Sequence, residues 1–561
     1  MGSSFVSAGK MFYMEILIGG GLCLQEIAAL FCPLAVESHE SSMNWTLATL
    51  AACFTAVLWI GLKSRRNYSS SNDFLNASGS ISMWAAALAF LAYNCGSIEV
   101  VGISAMAAQY GVQALHFYWI GGIPGMIFMG LVVLPIYQRA GARSIPEFLG
   151  ARFGPAVRFL NACVSMIGTL CFAGVALYTL AQVLYVILGS GFLAGELICA
   201  VVVLVYVLTG GVRASIFTSV FQLFVMIAGL TPLLFLTVRF NHANWAQRAD
   251  RWHLWKPLPL FSPHAPLDRV GVLLGLGFVI SFSYWCTDFV MIQRALTAHS
   301  IEEARKVPLL AGFCKMLFAF LVVLPGVAAP SLLHGSASFD QTMPSLMVLK
   351  FGPVLRGVGT AALVAGLMAW LAGNVSGFSA LWVEEIYRRF RPNCSEQHYI
   401  RAGQIAVPAC LLLAQLTAFA AFWFNDIMEF LQLIVSLFYA PMFAIVLAGV
   451  LRRRVGERGA FAGICAGIAS AIAVQTARWF GLAHFGSQMT ANFYIAIMSF
   501  TAAMSVCLIL QEASPRGVAN DSGNNVVFDS ALRLALRPTP SSLFLSAALL
   551  LVCLFLNVMW W

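Results

Sequence analysis

Apolar residues run along this chain in long blocks, near residues 45–62, 83–110, 114–137, 156–189, 191–208, 214–238 and 270–292. The blocks continue near 307–334, 353–383, 402–424, 427–451, 459–482, 489–511 and 541–560. Each is long enough to cross the ~30 Å hydrocarbon core of a bilayer as a helix. Period-2 alternation is absent, which argues against an outer-membrane barrel. The pattern therefore predicts an all-α polytopic membrane protein with about fourteen transmembrane helices. Residues 1–42 stay unassigned, because two acidic residues and the lack of a clear cleavage site fit a signal segment poorly. Residues 43–540 form the predicted main body, and 541–561 a C-terminal transmembrane helix.

Two blocks carry polar or small residues in mid-course. The second reads AFLAYNCGSIEVVGISA (89–105), and the seventh GLGFVISFSYWCTDFVMIQR (275–294). They lie five blocks apart. Helices broken at matching places in two five-helix halves point to inverted repeats with a solute site between them at mid-depth. Ionisable groups at that depth need a partner or a watery cavity. Asp288 and Lys315, the lone cation inside the following block, are predicted to pair.

Composition sharpens this picture. The chain is 60% hydrophobic and 10% charged, whereas a soluble domain is about half apolar and a quarter charged. The net charge of +9 comes from basic residues in short loops, so it implies no nucleic-acid partner. Lys and Arg crowd the loops at 63–66, 137–158, 293–306, 387–392 and 451–458. All five fall on one side, which is predicted to be cytoplasmic. The aromatic-rich loop from Arg239 to Arg269 becomes an external cap. The 14 cysteines are scattered and suggest no metal. No nucleophile–base pair or phosphate-binding loop emerges, so the expectation is a secondary transporter and not an enzyme.

The motifs carry a family resemblance. YWCTDFVMIQRAL (284–296) followed by AGFCKMLFAFLVVLPG (311–326) resembles the signature of the sodium/solute symporter family, in its sodium/glucose cotransporter branch. LPIYQRAGARSIPEFLGARFG (134–154), LTGGVRASIFTSVFQLFVMIAG (208–229) and RRRVGERGAFAGICAG (452–467) are similar to further family segments. The resemblance implies a LeuT-type fold of two inverted five-helix repeats, a ten-helix core over about 83–451 and alternating access. It also implies that Trp285 stacks on a sugar, Tyr284 helps gate the inner side, and Asn94, Lys315 and Gln432 bind hydroxyls. Amides suit that task because each offers a donor and an acceptor. Two positions depart: Glu99 replaces a histidine or glutamine, and Tyr118 replaces a sugar-binding glutamate.

The resemblance places a sodium ion on the carbonyls of Ala92, Cys95 and Gly366 and on two hydroxyls of the eighth core helix. Here those hydroxyl positions hold Ala369 and Trp370. A second sodium site loses its aspartate to Ser219 and its hydroxyls to Ala372 and Gly373. A register shifted by two turns would instead bring Ser376 and Ser379 to the ion. The expectation is thus a multi-pass transporter of the plasma (cell inner) membrane, moving a sugar, polyol or similar hydroxylated solute. Sodium coupling follows from the resemblance, but both sodium sites look degenerate. The alternatives are proton coupling through Glu99 or Asp288, uncoupled facilitation, or a membrane sensor that binds without transport. The pattern leaves the oligomeric state open.

Overall fold

The computed structural model describes residues 37–63, 81–139, 142, 144–189, 192–239, 251–333, 338–451, 455–511 and 538–561. Of the unassigned segment 1–42, residues 1–36 lie outside them, and the rest opens the helix Glu37–Lys63. Among the described residues, eleven helices are long and apolar enough to cross a membrane, or twelve if one bent pair counts as a single span. The count falls below fourteen because helical runs pass across expected loops. The blocks 191–208 and 214–238 lie in one helical run, Phe192–Arg239. Likewise, only a sharp turn at Gly111, with φ 71° and ψ −146°, separates the helix of the second block from the helical turns of the third, and the stretch Ser97–Tyr137 counts as one span.

The helices that build the site are few. α1 (Met83–Asn94) and α2 (Ser97–Tyr110) are the two halves of the first broken helix. α3 (Pro155–Leu188) and α4 (Phe192–Arg239) follow. α5 (Ser281–Thr287) and α6 (Phe289–Leu296) are the halves of the second broken helix, bent by 55°. α7 (Ile301–Leu332), α8 (Pro353–Leu381), α9 (Glu396–Ala420) and α10 (Ile427–Ile434) complete the set.

α8 is the hub. Nearly all its side chains from Gly357 to Leu381 are buried, with α4 and α3 packed against it. Its small residues allow this closeness, as expected where helices meet in lipid without a hydrophobic drive between them. A Cβ on Gly366 would stand 2.2 Å from Ser97 Oγ and 2.3 Å from Met226 Sδ. Only a glycine lets α8, α2 and α4 converge there. On α9, by contrast, Ile405, Leu412 and Leu416 stand exposed, as lipid-facing side chains do.

Side-chain ties close both ends of the bundle. At the end of the arginine-rich loops, Glu385 accepts hydrogen bonds from Ser144 Oγ and Arg158 Nε, each at 2.6 Å. At the opposite end, Asp340 accepts from the Ile427 backbone N–H at 2.9 Å, and Asp426 from Gln109 Nε2 at 2.7 Å. The described part of the aromatic-rich loop, from Arg251 onward, is anchored too. Arg251 donates to the carbonyls of Ala107 and Ala108 at the end of α2, and Trp255 donates to Asn557 of the C-terminal helix.

Candidate functional site

The first break is made by Cys95 and Gly96. Cys95 N–H still reaches Leu91 O, but Gly96 is extended, at φ −64° and ψ 169°. A helix that stops this way leaves its last carbonyls without intrahelical partners. The second break is at Asp288, also extended, whose carboxylate accepts the Met291 backbone N–H at 2.8 Å and caps α6. Asp288 additionally accepts a 3.4 Å hydrogen bond from Tyr439.

Between the breaks lies a cavity with about 590 Å³ of empty space, its mouth included. Its lining includes Asn94, Glu99, Ser281, Tyr284, Trp285, Lys315 and Gln432, with Trp370 and the apolar Ile98, Phe117 and Leu431. A hydrogen-bonded chain crosses one wall. Lys315 Nζ donates to Asn94 Oδ1 and to Glu99 Oε1, both at 2.5 Å, and Asn94 Nδ2 donates to the Tyr284 hydroxyl at 3.4 Å. The ammonium also sits 4.6 Å from the Tyr118 ring centroid and 5.7 Å from that of Trp285.

This geometry corrects one prediction. Lys315 pairs with Glu99, not with Asp288. The reason is local: a broken helix frees backbone N–H groups at the start of its second half, and Asp288 is spent on capping them. Glu99, on α2, faces the lysine on α7 across a close helix contact. The pair is nearly buried, with the side chains 4% and 12% exposed.

Trp285 donates its indole N–H to Gly121 O at 3.2 Å and meets Tyr284 edge-on with ring centroids 5.4 Å apart. A Cβ on Gly125 would fall 2.5 Å from the indole, so only a glycine makes room for it. Two polar atoms of the lining are left without a partner. They are Gln432 Oε1 and Ser281 Oγ, both buried. Ser281 was not legible in the sequence reading, since a serine in an apolar run has many bland uses.

Gly366 stands beside the first break, its carbonyl oxygen 3.2 Å from where a Cβ on Gly96 would lie. Ala92, Cys95 and Ala369 are buried nearby on α1, the break and α8. The Trp370 indole lies flat on Tyr93, with centroids 4.6 Å apart, and donates to Phe172 O. Ser376 donates to Ala372 O on its own helix and Ser379 to Gly403 O on α9, so both hydroxyls are engaged elsewhere. Ser219 lies against Arg294, whose guanidinium also reaches Ser215 Oγ at 3.3 Å and Ala89 O at 3.1 Å. A Cβ on Gly373 would meet that guanidinium at 3.1 Å.

Comparisons with known proteins bear on the family and the fold. The sodium/glucose cotransporter of Vibrio parahaemolyticus is 26% identical over 503 residues, spanning 82% of this chain and 89% of that protein. The sodium/myo-inositol cotransporter 2 of Sus scrofa is 26% identical over 485 residues, spanning 78% and 70%. In three dimensions the chain is similar to a Na+-coupled sialic acid symporter solved in a substrate-bound outward-open state. That match has a TM-score of 0.71 at 19% identity and covers 83% of this chain and 97% of the other. The helices thus share the LeuT-type fold. The family model for the sodium:solute symporter family matches residues 74–467, a stretch holding both broken helices and the cavity between them, and the chain belongs to that family.

Proposed function

We propose that this protein is a secondary transporter carrying an uncharged, polyhydroxylated solute, a sugar or a cyclic polyol, through the cavity between the two broken helices. The observation that carries this reading is the balance of the lining. Its one cation and one carboxylate, Lys315 and Glu99, neutralise each other at 2.5 Å. What remains for a ligand is an indole, a phenol, an amide oxygen and a hydroxyl. Trp285 and Tyr284 offer large amphipathic surfaces for C–H faces. Gln432 Oε1 and Ser281 Oγ lack partners, and buried polar groups are nearly always satisfied by something. Solute hydroxyls would satisfy them.

Relatives named for glucose and myo-inositol support this class. The carboxylate of the pair sits on α2, where the resemblance implies a histidine or glutamine, and Tyr118 takes the place of the implied glutamate. The cavity therefore keeps one carboxylate but moves it. We read this shift as a change in which hydroxyls are contacted, which favours a solute other than glucose. The protein is an integral multi-pass membrane protein by its family and spans; the plasma membrane is its proposed location.

Sodium is the coupling ion of the family. At the two positions implied to supply hydroxyls, Ala369 and Trp370 supply none, so any sodium here needs another oxygen. Proton coupling would rely on Glu99 or Asp288, and both are already engaged, by Lys315 and by the α6 N-terminus. The deciding experiment is uptake of labelled glucose and myo-inositol into proteoliposomes, in sodium and in choline at two pH values, with counterflow alongside. Exchange of either solute supports transport. Binding without exchange would favour the sensor reading instead.

A further inference from the structure

α8 is buried along most of its length, yet it reaches the cavity through one residue. Trp370 is the only α8 residue in the cavity lining. It is also the one tryptophan of that helix, and the residues around it, Gly366, Ala369 and Gly373, are small and buried.

The indole is held from two directions. One ring face lies on Tyr93 of α1, with centroids 4.6 Å apart and planes 6° from parallel. Its N–H donates to Phe172 O on α3 at 3.2 Å. Both supports are themselves fixed. The Tyr93 hydroxyl donates to Asn374 Oδ1 on α8 at 3.2 Å, and the Arg294 guanidinium stands 4.9 Å from the Tyr93 centroid. A Cβ on Gly373 would fall 2.6 Å from the same ring, so only a glycine there lets α1 lie this close to α8. Phe172 stacks on Tyr439, with centroids 5.5 Å apart. Close-packed side chains of this kind do not swing aside without breaking the contacts that hold them.

The same contacts define what Trp370 offers a solute. An indole has a single donor, and here it is spent on Phe172 O. Gln432 Oε1 and Ser281 Oγ are free to meet a hydroxyl; Trp370 has only apolar ring surface left, and a fixed surface acts by its shape. Selectivity built from a clash needs a wall that does not yield. We propose that Trp370 sets the size limit of the cavity, closing its α8 side so that one sugar or polyol ring fits and a second ring joined to it does not. This rests on the reading of the chain as a carrier of polyhydroxylated solutes and adds an upper bound on their size. Truncating the indole would extend the cavity toward the small residues of α8, because a packed core closes only part of the space a truncation leaves.

The test is competition for labelled myo-inositol or labelled glucose, whichever binds, on the purified full-length protein. Unlabelled myo-inositol and glucose serve as single rings. Maltose, cellobiose and trehalose serve as double rings, their linkages pointing the second ring in different directions. In the native protein each double ring should compete about a hundredfold more weakly than the better single ring. Trp370→Ala should narrow that gap about tenfold for at least one double ring. Trp370→Phe, which keeps a ring on Tyr93, should hold the gap near its native width. If the alanine variant does not fold, Trp370→Leu is read in its place. Loss of packing alone would weaken every competitor by one factor and leave the gap unchanged, and that result would overturn the proposal. So would a native protein that takes a double ring as readily as a single one, a measurement that needs no variant. Failure of the underlying reading looks different: neither single ring would bind the native protein, and the size limit would fall with it.

Discussion

The two broken helices differ in how they treat their loose ends. The break at Gly96 has no side-chain cap, and its carbonyls are left open. The break at Asp288 is sealed by a carboxylate on the α6 N-terminus. One leaves backbone acceptors open. The other is a closed joint that sets the direction of α6 and the position of Trp285 above it. Their inner ends are tied to each other, since Ile81 N–H donates to Thr297 O at 3.1 Å. Two breaks at matching places in inverted halves are therefore not equivalent in chemistry, and the comparison can be broken at several points.

The largest effect belongs to the open side. Lys315→Met would leave the Glu99 carboxylate buried and unpaired, a loss of roughly 3–5 kcal/mol. Melting temperatures of the purified variants should show Glu99→Gln/Lys315→Met milder than Lys315→Met alone. Additive damage would mean the pair contributes nothing as a pair.

Next comes the solute contact beside the sealed joint. Trp285→Ala should weaken solute binding by about 1–3 kcal/mol, the range for stripping a large apolar contact. Equilibrium binding of labelled myo-inositol reads this directly, and an unchanged affinity would remove Trp285 from the site.

The seal itself is worth less. Asp288→Ala should cost about 0.5–2 kcal/mol of stability, as for a lost N-cap, and Asp288→Asn less, because asparagine also caps. A large loss in the asparagine variant would instead assign Asp288 a role that needs its charge.

The smallest effect lies at the outer ends. Asp340, in the short turn Phe339–Gln341 that leads into the helix Thr342–Lys350, is pushed up to about 8 by burial first and by the nearby Asp426 carboxylate second. Because its folded value is raised, its contribution to stability is complete below the ordinary carboxylate range and is lost as pH rises through about 8. Hydrogen exchange at the Ile427 amide should therefore quicken, beyond the intrinsic rise, between pH 6 and 9. Asp340→Asn should flatten that dependence; an unaltered profile would show that the carboxylate is not its source.

Hydropathy and motif spacing alone determined the membrane class, the positions of both breaks and the family. These are properties of local sequence: long apolar runs have one stable use in lipid, and polar residues inside them mark breaks. The family resemblance in turn pointed to Asn94, Glu99, Tyr284, Trp285, Lys315 and Gln432, which the fold gathers around one cavity together with the unforeseen Ser281. Partner choice was decided only by the tertiary structure. Asp288 and Lys315 look like natural partners along the chain, yet a capping bond two or three residues away outcompetes a partner on another helix. Lys315 meets Glu99 because α7 packs on α2. Which charges and amides face each other depends on helix rotation and crossing, and these are fixed by small residues such as Gly366 and Gly125, whose importance is visible only when the neighbour they admit is in place.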